Sequence, residues 1–197
     1  LRTYDLPYEF SDEAISQAKA FGDDIDPSIT TTRLDLRNLP FVTIDGEDAK
    51  DFDDAVYVAP REKNGWTLWV AIADVANYVE EQSPLDRTAV ERGTSVYFPS
   101  QVIPMLPETL SNGLCSLNPH VDRLALAVCL EITSTGRVIR NRFHEVVFRS
   151  QQRLTYNEVQ DALDAVSARD HSSGSLKTAI QATKRFNSQG VAENVAS

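Results

Sequence analysis

Six carboxylates fall within the ten positions from Asp45 to Asp54: Asp45, Glu47, Asp48, Asp51, Asp53 and Asp54. Like charges at that spacing repel, and they raise one another's pKa unless a cation sits among them. Hard cations such as Mg²⁺ take oxygen ligands, commonly one or two carboxylates, with waters and a substrate phosphate completing the shell. A cation held here would turn a repulsive loop into a phosphate-binding one. Composition alone leaves a second reading equally open, a solvated acidic loop with no ligand. A calcium loop of the EF-hand type fits poorly, since that motif needs acids at alternate positions followed by Gly and a terminal Glu.

The flanking sequence predicts how the acids are held. Phe41-Val42-Thr43-Ile44 is strand-like and leads into Asp45, which then projects on the side of Thr43 and Phe41. Ala55-Val56-Tyr57-Val58 forms a second strand beyond the acidic run. Asp53 and Asp54 are adjacent, so in an extended strand they face opposite ways. They serve one site only if the loop is irregular there, or if each meets a different part of a ligand. Gly46 makes such a turn cheap, having no Cβ to penalise positive φ. After a polar turn over 60–65, Trp66 to Ala73 is almost continuously apolar, which predicts a strand covered on both faces.

Residues 1–39 read as a leading helix and linker. Ser11 is placed to cap a helix whose Ala14, Ile15, Ala18 and Phe21 share one face, and a polar linker runs from Asp26 to Arg33. Ser83-Pro84-Leu85-Asp86 opens a second helix that Gly93 closes. Residues 93–123, rich in Pro, Gly, Ser and Asn, read as a long irregular segment. Leu124 to Thr133, a Ser134-Thr135-Gly136 turn and Val138 to Phe148 predict an antiparallel pair. Thr155 and Glu158 form a capping box before Tyr156, Val159, Leu163 and Val166 at helical spacing, and a further helix is expected over 176–186. The expected fold is α+β, a mixed, largely antiparallel sheet flanked by helices, with residues 40–197 as the part that follows the leading helix and linker. Asp74 reads as structural, capping a helix or pairing with a nearby arginine, and Trp66 and Trp69 as core. By itself Tyr97 reads as a core tyrosine. His120, His144 and His171 have no paired ligand spacing, which argues against zinc or a histidine base.

The formal charge of -10 excludes a chain that binds nucleic acid merely by being basic. An acidic core still binds RNA if cations neutralise its carboxylates and basic surface lies elsewhere. Hydrophobic residues make up 42%, enough for a real core. No apolar run reaches membrane-spanning length and the first residues lack a signal-peptide stretch, so the expectation is a soluble, cytoplasmic protein with no membrane partner. Cys115 and Cys129 are expected as thiols rather than a disulfide framework.

The run Val42 to Tyr57, with Asp45, Asp51, Asp53 and Asp54 in place, closely resembles the signature of the ribonuclease II/ribonuclease R (RNB) family. So do Leu68 to Val75, Pro84-Leu85-Asp86, Ser95 to Ser100, Ile103-Pro104-Met105-Leu106-Pro107, and Leu110-Ser111-Asn112-Gly113-Leu114-Cys115-Ser116-Leu117-Asn118-Pro119, all in family order. The resemblance covers about Leu34 to Val159 and implies a 3′-to-5′ exoribonuclease that hydrolyses RNA to nucleoside 5′-monophosphates. It implies that Asp45 and Asp54 coordinate Mg²⁺, with Mn²⁺ as an alternative. Asp53 would hold the 3′-terminal nucleotide or orient the attacking water, Asp51 would support the metal site, and Tyr97 would stack on a base near the 3′ end. The implied partner is single-stranded or structured RNA with a free 3′ end. The chain is then expected to be the N-terminal, truncated part of the catalytic domain, inactive alone, with an essential arginine lying outside it. The alternatives are a non-catalytic RNA-binding module and a calcium-stabilised acidic interaction domain.

Overall fold

A computed structural model describes residues 7–62, 64–98 and 101–170, with side chains to 165. The helix expected over 176–186, Pro99, Ser100 and His171 lie outside the described residues. The chain divides into two compact units, one of residues up to Thr43 with Ala49–Arg153, the other of Ile44–Asp48 with residues from Leu154 onward.

Strands β1 (Leu34–Asp35), β2 (Phe41–Asp45), β3 (Asp54–Pro60), β4 (Trp66–Ala73), β7 (Asp122–Ile132) and β8 (Val138–Thr155) form one sheet in the order β1-β8-β2-β3-β4-β7, and β8 also pairs with β7. Because β8 meets both β2 and β7, the strands β8-β2-β3-β4-β7 close into a ring. All registers given are antiparallel except β1 on β8, where Leu34 lies beside Val146. The sheet is thus mixed and largely antiparallel, as the α+β expectation requires. A short hairpin of β5 (Val96–Phe98) and β6 (Gln101–Ile103) and a π-helical turn (Thr109–Leu114) occupy the segment expected to be irregular. Its Pro, Gly and Asn content hid three-residue strands too short to show periodicity.

Strand alternation sorts the core. Phe41, Ala55, Ala71, Ala73, Ala125, Ala127, Val146 and Phe148 line one cluster, joined by Phe52 and Leu117. The many alanines let the strands approach over large residues such as Phe41 and Phe148, whose rings meet at 4.9 Å. On the opposite face, Leu124 and its cross-strand partner Val147 pack with α1 (Asp12–Ala20) and α3 (Pro84–Arg92) through Ala14, Ala18, Leu85 and Tyr78. Farther along that face Val58, Ile72, Leu126 and Phe143 are exposed. The expected cover on both faces of β4 is therefore not met at Ile72, and no residue of β4 belongs to the cluster under α1 and α3.

The caps are where the sequence places them. Ser11 Oγ accepts from the Ala14 amide at 3.2 Å and Ser83 Oγ from the Asp86 amide at 3.2 Å. The linker at Asp26 contains a short helix, α2 (Pro27–Thr30), capped by Asp26. Arg33 pairs with Asp74 at 2.6 Å, both side chains largely buried, which gives Asp74 its structural role. In the second unit, α4 (Tyr156–Asp170) begins with the expected box: the Thr155 amide donates to Glu158 Oε2 at 2.7 Å, and the Glu158 amide to Thr155 Oγ1 at 3.2 Å. There Asn157 Nδ2 also donates to Glu47 Oε1 at 3.3 Å.

Candidate active site on the acidic loop

Asp51 and Asp53 flank Phe52, whose ring is buried in the main core while Asp53 is exposed and Asp51 half-buried. Burying the aromatic between two acids is what displays the acids. Asp54 opens β3 opposite Ile72 and is exposed on the same face as that residue, whereas Ala55 turns into the core. Asp53 precedes the strand, and its carbonyl accepts from the Ala73 amide at 2.9 Å. The break between irregular loop and strand thus falls between Asp53 and Asp54, and both carboxylates reach solvent. Asp45 ends β2, half-buried, in the second unit.

The loop backbone is fixed from outside. Ser116 Oγ accepts from the Phe52 amide at 3.0 Å and donates to the Lys50 carbonyl at 3.2 Å, and the Leu117 amide donates to the Phe52 carbonyl at 2.8 Å. Arg123, itself buried, donates through Nε to the Ser116 carbonyl at 2.9 Å. Ser116 lies inside the motif-bearing stretch Leu110 to Pro119, yet nothing in its residue type announces this contact; a fully buried serine becomes recognisable only once burial is known. Arg153 places its guanidinium 5.2 Å from the Phe52 ring centroid, bringing a cation beside the acidic loop that spacing did not reveal.

Tyr97 is 63% exposed and donates its hydroxyl to Asp51 Oδ2 at 2.8 Å. That exposure rules out a core tyrosine and leaves its ring available. The hydrogen bond to the Asp51 carboxylate, helped by partial burial, pushes the Tyr97 phenol above its ordinary pKa. It therefore stays a neutral donor near neutral pH. Trp69, by contrast, packs against the main core, as expected.

Hard carboxylate oxygens suit a divalent cation of the Mg²⁺ type. Among the described residues no three His, Cys, Asp or Glu side chains converge as a cage. Mg²⁺ does not require one, because it keeps several waters and completes its shell with substrate phosphate. Exposed carboxylates at Asp53 and Asp54 are donors of the chemical type such an ion takes. Cys115 and Cys129 are free thiols, Cys115 buried and Cys129 half-buried.

Comparison with known proteins follows this geometry. The RNB domain profile matches residues 33–196. Ribonuclease R of Escherichia coli (strain K12) is 55% identical over 159 residues, covering 81% of this chain and 20% of that protein. The chain thus spans about one fifth of the length of that relative. Among solved structures, Mycoplasma genitalium RNase R in complex with ribose methylated single-stranded RNA matches with a TM-score of 0.77 at 34% identity, covering 91% of this chain and 27% of that one. The same enzyme in complex with double-stranded RNA gives the same score and identity, with 31% of that chain covered.

Proposed function

Since the chain belongs to the RNB-domain family, we propose that its protein is a divalent-metal-dependent 3′-to-5′ exoribonuclease acting in the cytoplasm on single-stranded or structured RNA with a free 3′ end. The observation that carries this reading is the acidic loop itself. Asp53 and Asp54 are exposed and Asp51 half-buried around the core-anchored Phe52 and the start of β3, and the family match runs through them.

The reaction is hydrolysis of the terminal phosphodiester. Water oxygen attacks phosphorus, the bond from phosphorus to the 3′ oxygen of the shortened RNA breaks, and that oxygen takes a proton, releasing a nucleoside 5′-monophosphate. A bound divalent cation, Mg²⁺ or Mn²⁺, would supply a lowered pKa for the water and counter-charge at the phosphate. Asp45 and Asp54 are the residues that would hold it. Asp53 orients the attacking water or the terminal nucleotide, and Asp51 supports the site while accepting from Tyr97. Tyr97 offers its ring to a base near the 3′ end. Every base has a π face, so stacking of roughly 1–3 kcal/mol tolerates any sequence.

The test incubates the intact protein with 3′- and 5′-labelled RNA in Mg²⁺ or EDTA. Steady mononucleotide release from the 3′ end, only with metal, is expected. Asp53→Asn is expected to lower kcat by roughly 10²–10⁴-fold while RNA affinity is largely kept. Undiminished cleavage by that variant would sink the mechanism. A thermal shift with Ca²⁺ and no RNA turnover would favour a calcium-stabilised interaction domain, and RNA binding with no turnover a non-catalytic module.

A further inference from the structure

We propose that Ser116 is the positioning residue of the acidic loop: its buried hydroxyl fixes the backbone on both sides of Asp51 and so sets how Asp51 and Asp53 are presented to RNA. The inference deepens the exoribonuclease reading and rests on it.

The loop from Lys50 to Asp53 has no regular secondary structure of its own, so its shape depends on what holds its peptide groups. Ser116 Oγ uses its donor on the Lys50 carbonyl and one acceptor site on the Phe52 amide, bridging the two peptides that bracket Asp51. The next residue closes the other side of the loop, the Leu117 amide donating to the Phe52 carbonyl. Ser116 is itself immobilised, with no exposed surface and its carbonyl held by the Arg123 guanidinium. Arg123 Nη1 also donates to the Asp122 carbonyl at 2.9 Å, which ties this support to the start of β7. One hydroxyl thus connects the loop bearing Asp51 and Asp53 to the closed strand ring.

Alanine at position 116 would leave a buried amide and a carbonyl without their partner, and the loop could relieve that only by shifting its backbone. Displacements of about 1 Å at a reacting centre can cost on the order of 100-fold in rate. A residue that merely stabilises the fold would lower the melting temperature and spare turnover. Leu85 of α3, fully buried with Ala14 and Ala18 of α1 in a cluster that does not include the acidic loop, provides that comparison.

The experiment uses the intact protein with single-stranded RNA in Mg²⁺, comparing wild type, Ser116→Ala, Ser116→Thr and Leu85→Ala below all their melting temperatures. Ser116→Ala is expected to lose about 10- to 100-fold in kcat, with KM within about two-fold. Ser116→Thr, which keeps the hydroxyl, should recover part of the loss, and Leu85→Ala should keep the wild-type kcat despite a lower Tm. Amide hydrogen exchange on the wild type gives a readout independent of activity and of any variant's folding. The Phe52 and Leu117 amides should be protected as strongly as those of β3 and β4, and the Phe52 amide should be released in Ser116→Ala. Wild-type kcat in Ser116→Ala, equal losses in Leu85→Ala, or a wild-type Phe52 amide exchanging like an exposed loop would each overturn the proposal. A wild-type protein that protects Phe52 but releases no mononucleotide would instead overturn the exoribonuclease reading and leave the clamp standing.

Discussion

The thiol of Cys115 sits directly before the clamp serine, and burial pushes its pKa up to about 12 from an ordinary 9.0. Tyr78, also buried, is pushed up to about 12 from 10.0. The unfolded chain therefore releases these protons first, and stability is fully present below about pH 9. It is then lost progressively as the pH rises toward 12, at up to about 1.4 kcal/mol per pH unit for each group while its two states differ. The urea midpoint is expected to fall between pH 8 and 10.5. Cys115→Ala should start lower at pH 8 but fall less over that interval; parallel curves for the two proteins would contradict the assignment. At this scale the sequence is informative about identity and poor on environment. The four aspartates and Tyr97 are singled out by the family resemblance, whereas the Tyr97 bond to Asp51 joins residues 46 positions apart and has no local signature. The same holds for Ser116 and Arg153, whose roles arise from partners brought in by the fold.

Among the elements, the two faces of β8 make the clearest contrast. Phe148 is fully buried against Phe41, while Phe143 is 68% exposed. Phe148→Ala is expected to cost about 3–5 kcal/mol and Phe143→Ser to stay within about 0.5 kcal/mol, read from urea unfolding. Similar losses at both sites would mean that the core is not where strand alternation places it. Helix starts were legible because caps are local chemistry: Ser11, Ser83 and Thr155 each bond an amide three residues on. The strands β2, β3, β4 and β7 were legible from apolar runs between turn residues. The later part of β8 was not, because Arg149 to Thr155 is largely polar and becomes strand through pairing. The short helix after Asp26 was hidden for a similar reason, since four residues cannot display a helical period.

For the molecule as a whole, net charge and extent bear on activity together. A charge of -10 opposes RNA, and the chain spans only 20% of the Escherichia coli ribonuclease R it resembles. Residues 1–197 produced alone are therefore expected to release no mononucleotides in Mg²⁺ at concentrations where the intact protein does. Robust release by that fragment would show that the acidic loop and its immediate supports suffice. The fold class was readable from the sequence, but ring closure was not, since it depends on one strand, β8, pairing with both β2 and β7. That closure has a consequence for how the protein is made. Synthesis runs from the N-terminus, so β2, β3 and β4 emerge well before Val138 begins the closing strand. Until then β2 presents an open hydrogen-bonding edge to any neighbouring nascent chain, and so do first β4 and then, once it has paired with β4, β7. Pairing of β8 with β2 joins segments far apart in sequence, a step that is intrinsically slow. The interval on the ribosome between β4 and β8 is thus when this chain is most prone to aggregate, and when a chaperone that covers strand edges helps it most.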